Sequence, residues 1–397
     1  MKKLLVCLGI VLAGLESEAQ FSRYIVEFND KATSPFSLTA PSSYLSQRAI
    51  DRRTRHNIAV DSTDLPVTPR YLDSLRSAGA VTILNVSRWL NQVSIQTNDA
   101  AALSKINSFS FVKKTSAIAA RSSSSSSGKK SVEENNSIPS PLASSRTQNT
   151  AASFYDYGQS LNQVRIHNGD FLHNIGLRGQ TMIIGLLDGG FRNYTSLRAF
   201  DSANLNGQVL GTYDFVARET SVVEDDAHGM QCFSIIAANI PGQFVGTAPK
   251  ASFYLFRSED GASEYPIEEH NWVCAAERLD SAGGDMISSS LGYSNLMSNP
   301  AFDHTYAEMD GNTTIAARGA DLAAKKGVLV VNAAGNDGTG SFRYIATPAD
   351  GDSVMAVGAV TAAGISAGFS SYGPSSDGQV KPDVASVGVA TILQTQF

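Results

Sequence analysis

Asp188, His228 and Asn336 are the residues whose types and settings could do chemistry. Asp188 directly follows the apolar run Thr181–Leu187 and precedes Gly189 and Gly190. His228 stands in Asp226-Ala227-His228-Gly229, at the predicted start of a helix. Asn336 lies in Ala333-Ala334-Gly335-Asn336-Asp337-Gly338, directly after the apolar run Val328–Asn332. A carboxylate, an imidazole and an amide can move protons and stabilise charge. In open parallel α/β sheets such groups collect at the carboxyl ends of strands. Each position alone also has a bland reading. Asp188 could hold a ribose hydroxyl or shape a turn, His228 could cap or pack a helix, and a Gly- and Asn-rich segment is commonly just a turn.

The elements that must position these residues follow from periodicity. Between Ser153 and Phe397, apolar strand-like runs alternate with helical patterns. Strands are expected at Thr181–Leu187, Ala251–Phe256, Asp285–Ser288, Val328–Asn332 and Val354–Val357. Helices are expected at His228–Ile240 and Ile267–Ala282, and a third runs to Lys326, capped by Asn312 and stopped by Gly327. Strands apolar throughout, alternating with helices, imply a parallel sheet covered on both faces. Ahead of it, residues 21–118 read as a small α+β domain. It has a strand at Tyr24–Phe28, a helix around Tyr44–Arg55 and alternating stretches at Val81–Asn85 and Gln92–Gln96. Its Arg48, Arg52, Arg53 and Arg55 read as a solvated helix face. Residues 119–152, with the run Ser122–Ser127 and almost no apolar side chains, read as a disordered linker.

The order Asp188, His228, Ala-Ala-Gly-Asn resembles the subtilisin-like serine peptidases, the subtilase or S8 family. Four further runs in order carry the resemblance. The segment Tyr157–Gln180 looks like the lead-in to the Asp strand, and Gly246-Thr247-Ala248-Pro249 resembles the turn after the His helix. Ser290-Leu291-Gly292 resembles the strand lining the substrate cleft, and Lys381-Pro382-Asp383-Val384 the run ahead of the serine segment. The resemblance implies a subtilisin-like parallel sheet with helices on both faces, preceded by a propeptide-like domain. It implies acyl transfer on a protein or peptide substrate. His228 would take the proton from a serine, Asp188 would fix the imidazole tautomer, and Asn336 would donate to the oxyanion. Backbone groups of Ser290, Leu291 and Gly292 would pair with an extended peptide, and Ala334 and Gly335 would wall the primary specificity pocket.

Three departures from the family pattern stand out. Asp188-Gly189-Gly190 lacks the hydroxyl residue that usually follows the Asp, and His228-Gly229-Met230-Gln231 lacks a second, non-catalytic His. No Gly-Thr-Ser occurs anywhere, so the nucleophilic serine is expected to be absent, the chain to be a truncated precursor, and the polypeptide to be inactive.

Charge and targeting narrow the setting. Residues 21–150 hold 16 Lys+Arg against 9 Asp+Glu, and residues 151–397 hold 13 against 26. A basic half of this kind could bind nucleic acid, but the reading preferred is that the two unlike halves bind each other as an intramolecular propeptide and its enzyme, with no nucleic-acid partner expected. Lys2 and Lys3 followed by an apolar run to Leu15 read as a cleaved signal peptide over residues 1–20. That run is shorter than the roughly 20 apolar residues a membrane span needs, so the protein is expected to be secreted or at the cell surface without stable membrane insertion. Cys232 and Cys274, both on predicted helices, read as buried free thiols. No metal-ligand cluster stands out and no cofactor is expected. Calcium at Glu224-Asp225-Asp226 is the alternative to a solvated loop. The competing functions are a non-catalytic pseudoprotease that binds peptides or partners, and a nucleotide-binding α/β domain. The latter finds no Gly-x-Gly-x-x-Gly and no Walker lysine.

Overall fold

A computed structural model describes residues 21–120, 153–223 and 226–395. The signal segment and nearly all of the Ser-rich linker therefore lie outside the described residues. The N-terminal part contains β1 (Phe21–Phe28), α1 (Gln47–Arg55), α2 (Pro69–Arg76), β2 (Thr82–Ser87), β3 (Gln92–Gln96), α3 (Ala100–Asn107) and β4 (Val112–Ala120). Its four strands form an antiparallel sheet in the order β2-β3-β1-β4. Alternation along β1 decides what each face covers. Val26 and Phe28 pack with Tyr71 and Leu75 of α2 and Ile106 of α3. Ile25 joins Leu84, Ile118 and Ala119 on the other face, against Ile267 of the following region.

That region begins with two short helices, α4 (Leu161–Arg165) and α5 (Gly169–Asn174), and continues with β5 (Ile183–Asp188), α6 (Asp201–Leu205), β6 (Val209–Asp214) and α7 (His228–Ala237). A two-residue hairpin pair follows, β7 (Asn239–Ile240) and β8 (Phe244–Val245). Then come β9 (Ser252–Arg257), α8 (Pro266–Ala282), β10 (Met286–Ser289), α9 (Ile315–Lys325), β11 (Leu329–Ala333), β12 (Val354–Val360) and β13 (Val384–Val387). Seven strands make one sheet in the order β13-β12-β11-β10-β5-β9-β6, every pair parallel. All six residues of β5 are buried, as a central strand covered on both faces requires. Its alternate residues enter opposite cores. Ile183 and Leu187 pack with Trp272 and Leu279 of α8, while Ile184 and Leu186 pack with Met230 and Phe233 of α7.

Most of the expected elements are present with shifted ends. The edge strands β6 and β13 were not anticipated, because their partly exposed residues lack the continuous apolar signal of the inner strands. Thr314 caps α9, its side chain accepting from Ala317 N; Asn312 does not. Asn312 instead sits in a turn whose backbone N–H groups at 312 and 313 both donate to Asp310. Proline at the first position and acids in the first turn start α8, and Gly283 ends it with φ 89°, a left-handed conformation that glycine adopts without Cβ strain.

The reading of the arginine cluster as a solvated face holds for Arg48 and Arg55, which are exposed, and is overturned for the other two. Arg52 and Arg53 are 2% and 1% exposed, buried against α8. Both donate to the Asp280 carboxylate, joined there by Arg88 Nη2 at 2.7 Å. Arg53 also donates to Asp64, whose Oδ2 receives Lys326 Nζ at 3.1 Å. Three guanidinium groups on an aspartate more than 190 residues away in sequence are satisfied only once the two regions meet. Next to them Glu277 accepts from Ser87 Oγ and from the backbone N–H groups of Arg88 and Trp89.

Candidate active site

Three neighbouring strands end at one level of the sheet. Leu187 of β5 lies opposite Ser289 of β10, and Ser289 lies opposite Asn332 of β11. The chain therefore leaves the sheet side by side at Asp188, Ser290 and Ala333, the carboxyl edge where a parallel sheet exposes its functional groups.

Asp188 is the last residue of β5 and is 2% exposed. Its Oδ1 accepts the backbone N–H of Gly189 at 2.7 Å, so a main-chain donor serves the carboxylate where no neighbouring hydroxyl is present. The same oxygen lies 2.7 Å from His228 Nδ1. His228 opens α7, and Asp226 Oδ1 accepts its backbone N–H at 2.8 Å, satisfying one orphan donor of the helix terminus. Gly229 permits the close approach: a Cβ there would lie 2.5 Å from Gly190 O and 2.7 Å from Asp188 Cβ. The Asp188 carboxylate, and after it Cys232, hold the His228 imidazolium well above the usual imidazole range, while burial works against them. The His228 side chain is 46% exposed, so one edge of the ring faces outward while the other is fixed.

Cys232 lies one helical turn beyond His228, on the same face. Its Sγ is 3.9 Å from His228 Nε2 and donates to Ser290 Oγ at 3.4 Å. Cys232 is a free thiol, as expected, but half-buried rather than buried; Cys274 is free and buried. The sequence reading did not connect Cys232 with the site. Its spacing of four from His228 on a helix was the available signal.

Ser290, Leu291 and Gly292 leave the end of β10, with the Leu291 carbonyl accepting from Asn332 Nδ2 at 2.9 Å. Ala334 is buried and ties into β12 through its N–H to Val357 O. Gly335 has φ 111°, and its carbonyl accepts Ser371 N. Asn336 follows, exposed on the same loop. The structure thus joins Asp188, His228, Cys232 and Ser290 by direct contact, and sets Ala334, Gly335 and Asn336 on the adjacent strand end.

Acidic residues flank this edge in a way the sequence did not reveal. Asp226 accepts the first backbone N–H of α7, while Glu224 and Asp225 of the acidic run fall outside the described residues. Three other acids converge instead: Glu259, Glu264 and Glu268 present carboxylate oxygens all within 4.8 Å of one another. They lie up to nine residues apart, so no acidic run announces them.

Comparisons with known proteins place the chain in a family. Residues 179–396 match the family model described as the Subtilase family, and residues 23–136 match the Peptidase S8 propeptide domain, Bacteroidota. Serine protease AprX of Bacillus subtilis (strain 168) is 30% identical over 232 residues, covering 54% of this chain and 48% of that protein. Subtilisin NAT of Bacillus subtilis subsp. natto is 30% identical over 210 residues, covering 52% and 48%. Subtilisin DY of Bacillus licheniformis is 31% identical over 204 residues, covering 50% and 63%. The chain spans about half the length of the first two relatives. Among solved structures, the prenylagaramide maturation protease PagA is 20% identical with a TM-score of 0.39, covering 52% of this chain and 64% of that one. With family models covering both the strand-end site and the region packed on α8, the chain belongs to the subtilase family and carries an S8 propeptide domain ahead of its peptidase domain.

Proposed function

We propose that Asp188 and His228 are the acid–base pair of an exported serine endopeptidase. The observation that carries this reading is the 2.7 Å contact between His228 Nδ1 and buried Asp188 Oδ1. With Nδ1 held by the carboxylate, Nε2 is the nitrogen left to take a proton from a serine hydroxyl and return it to the leaving amine. Asp188 fixes the tautomer and stabilises the imidazolium without itself being protonated. The Asn336 amide donates to the oxyanion of the tetrahedral intermediate, a contact worth about 3–4 kcal/mol in such sites. Extended substrate backbone pairs beside Ser290, Leu291 and Gly292, and Ala334 and Gly335 leave room for a large side chain in the primary pocket.

The nucleophile of this reading is a serine in a Gly-Thr-Ser run, and residues 1–397 contain no such run. The polypeptide by itself is therefore expected to lack appreciable peptidase activity. Residues 21–118 act as the intramolecular propeptide and residues 153–397 as the peptidase part, with residues 1–20 directing export. Among the described residues no helix is long and apolar enough to cross a membrane.

The test compares peptide hydrolysis by the 397-residue chain with that of a chain continued through a subtilase Gly-Thr-Ser segment. Only the longer chain should turn over, with His228→Ala reducing its rate by about a thousandfold or more. Hydrolysis by the longer chain that survives His228→Ala would sink the assignment.

A further inference from the structure

Given Asp188 and His228 as an acid–base pair, on which this assignment rests, the geometry points to Arg257 as their positioning residue. Anchored on Asp214, its guanidinium fixes the Gly189 carbonyl and so holds the Gly189 N–H on the Asp188 carboxylate that faces His228.

The need for such an anchor comes from the turn itself. Asp188 is followed by two glycines, and glycine is the residue whose φ and ψ are least restricted. Gly190 is required by packing, since a Cβ there would lie 2.6 Å from Asp226 N. The Gly189 N–H donates to Asp188 Oδ1 at 2.7 Å, and the same oxygen lies 2.7 Å from His228 Nδ1. Neither 189 nor 190 carries a side-chain hydroxyl. The direction of that N–H therefore depends on what holds the peptide units on either side of Gly189.

The end of β9 holds both. Ser258 N donates to Asp188 O at 3.0 Å, and Arg257 Nε donates to Gly189 O at 3.1 Å. With the carbonyls before and after it both held, Gly189 keeps one φ and one ψ. The first of these bonds is backbone, which any residue but proline supplies; the second needs the arginine side chain.

Strand register brings that side chain to the turn. Arg257 ends β9, opposite Asp188 of β5 on one side and Asp214 of β6 on the other. Arg257 is 6% exposed and Asp214 is 0% exposed. Arg257 Nη1 donates to Asp214 Oδ2 at 2.8 Å, while Asp214 Oδ1 accepts from Val216 N and Ala217 N at 2.7 and 2.8 Å. A planar guanidinium held at two of its nitrogens keeps its direction. An ion pair that served stability alone needs only Asp214. The Nε bond to Gly189 O is what ties Arg257 to the catalytic edge.

The test removes this anchor without stranding a buried charge. Arg257→Met combined with Asp214→Asn discards the ion pair and keeps Oδ1 as acceptor for the N–H groups of 216 and 217. In the intact 397-residue chain, the proton on His228 Nδ1 is followed by NMR. In the double variant it should move upfield and exchange with water about tenfold faster, the measure of one hydrogen bond loosened. Arg257→Lys, which keeps the charge, should restore part of its lifetime. If the double variant does not fold, Asp214→Asn alone should shift the same proton in the same direction. In the chain continued through a Gly-Thr-Ser segment, kcat should fall about ten- to a hundredfold with KM within about twofold, since Arg257 does not touch substrate. A lowered melting temperature with the His228 proton and kcat both unmoved overturns the proposal, leaving Arg257 a structural role. His228→Ala in the longer chain separates the two readings. If it abolishes turnover while the anchor variants leave kcat and the His228 proton unchanged, the assignment of Arg257 alone fails. Turnover that survives it overturns both.

Discussion

At His228, the Asp188 carboxylate and then Cys232 favour the charged ring, while burial opposes it. The folded imidazolium therefore titrates above the ordinary value of about 6.5. By linkage, the stability this pair contributes is fully present below about pH 6.5 and is lost as pH rises through the higher folded value. The His228 ring resonance, followed by NMR against pH, should titrate above the range of an exposed histidine. Asp188→Asn should bring the midpoint down toward that range, and Cys232→Ala should lower it less. A midpoint unmoved by Asp188→Asn would show that the carboxylate does not hold the imidazolium. The residue types at this site were legible from chain order; the thiol contact was not, since Cys232 touches His228 only through the helical turn that brings them together.

Helix α8 carries the greatest share of the molecule's organisation. One side presents Trp272, Val273 and Leu279 to the main sheet, and another presents Glu277 and Asp280 to the propeptide domain. Asp280 is 0% exposed and accepts from Arg52, Arg53 and Arg88. Removing the carboxylate leaves three guanidinium groups short of their common partner in a buried setting. Asp280→Ala should therefore cost about 3–5 kcal/mol in urea unfolding of the full chain. A loss below 1 kcal/mol would mean that water compensates the arginines. The sequence placed α8 within one residue of its start, because helical periodicity is a local signal. It assigned the arginines of α1 to solvent, because a basic helix face looks the same whether it meets water or a distant carboxylate.

For the whole molecule, the opposed charges of the two regions become a buried contact rather than a diffuse attraction. Chain cleaved between residues 121 and 152 should stay associated on size-exclusion chromatography at low salt, with raised salt weakening the contact. Nicked Asp280→Ala chain should separate under conditions where the parent does not. Separation of the nicked parent at low salt would count against the propeptide assignment. The pairing also accounts for the split core, since Trp89 of the N-terminal domain packs in one cluster with Trp272 of α8.

The amino-acid sequence alone determined the order of the inner strands and long helices of the second region, the parallel sheet, and the places of Asp188, His228 and Asn336 at or just after strand or helix ends. These rest on periodicity, caps and motif order within short windows. The tertiary structure decided which side chains meet across long separations. It buried Arg52 and Arg53 on Asp280, set Cys232 between His228 and Ser290, and gathered the carboxylates of Glu259, Glu264 and Glu268 within 4.8 Å of one another. A contact of that kind depends on how two elements pack, and packing leaves no local periodic trace in the chain.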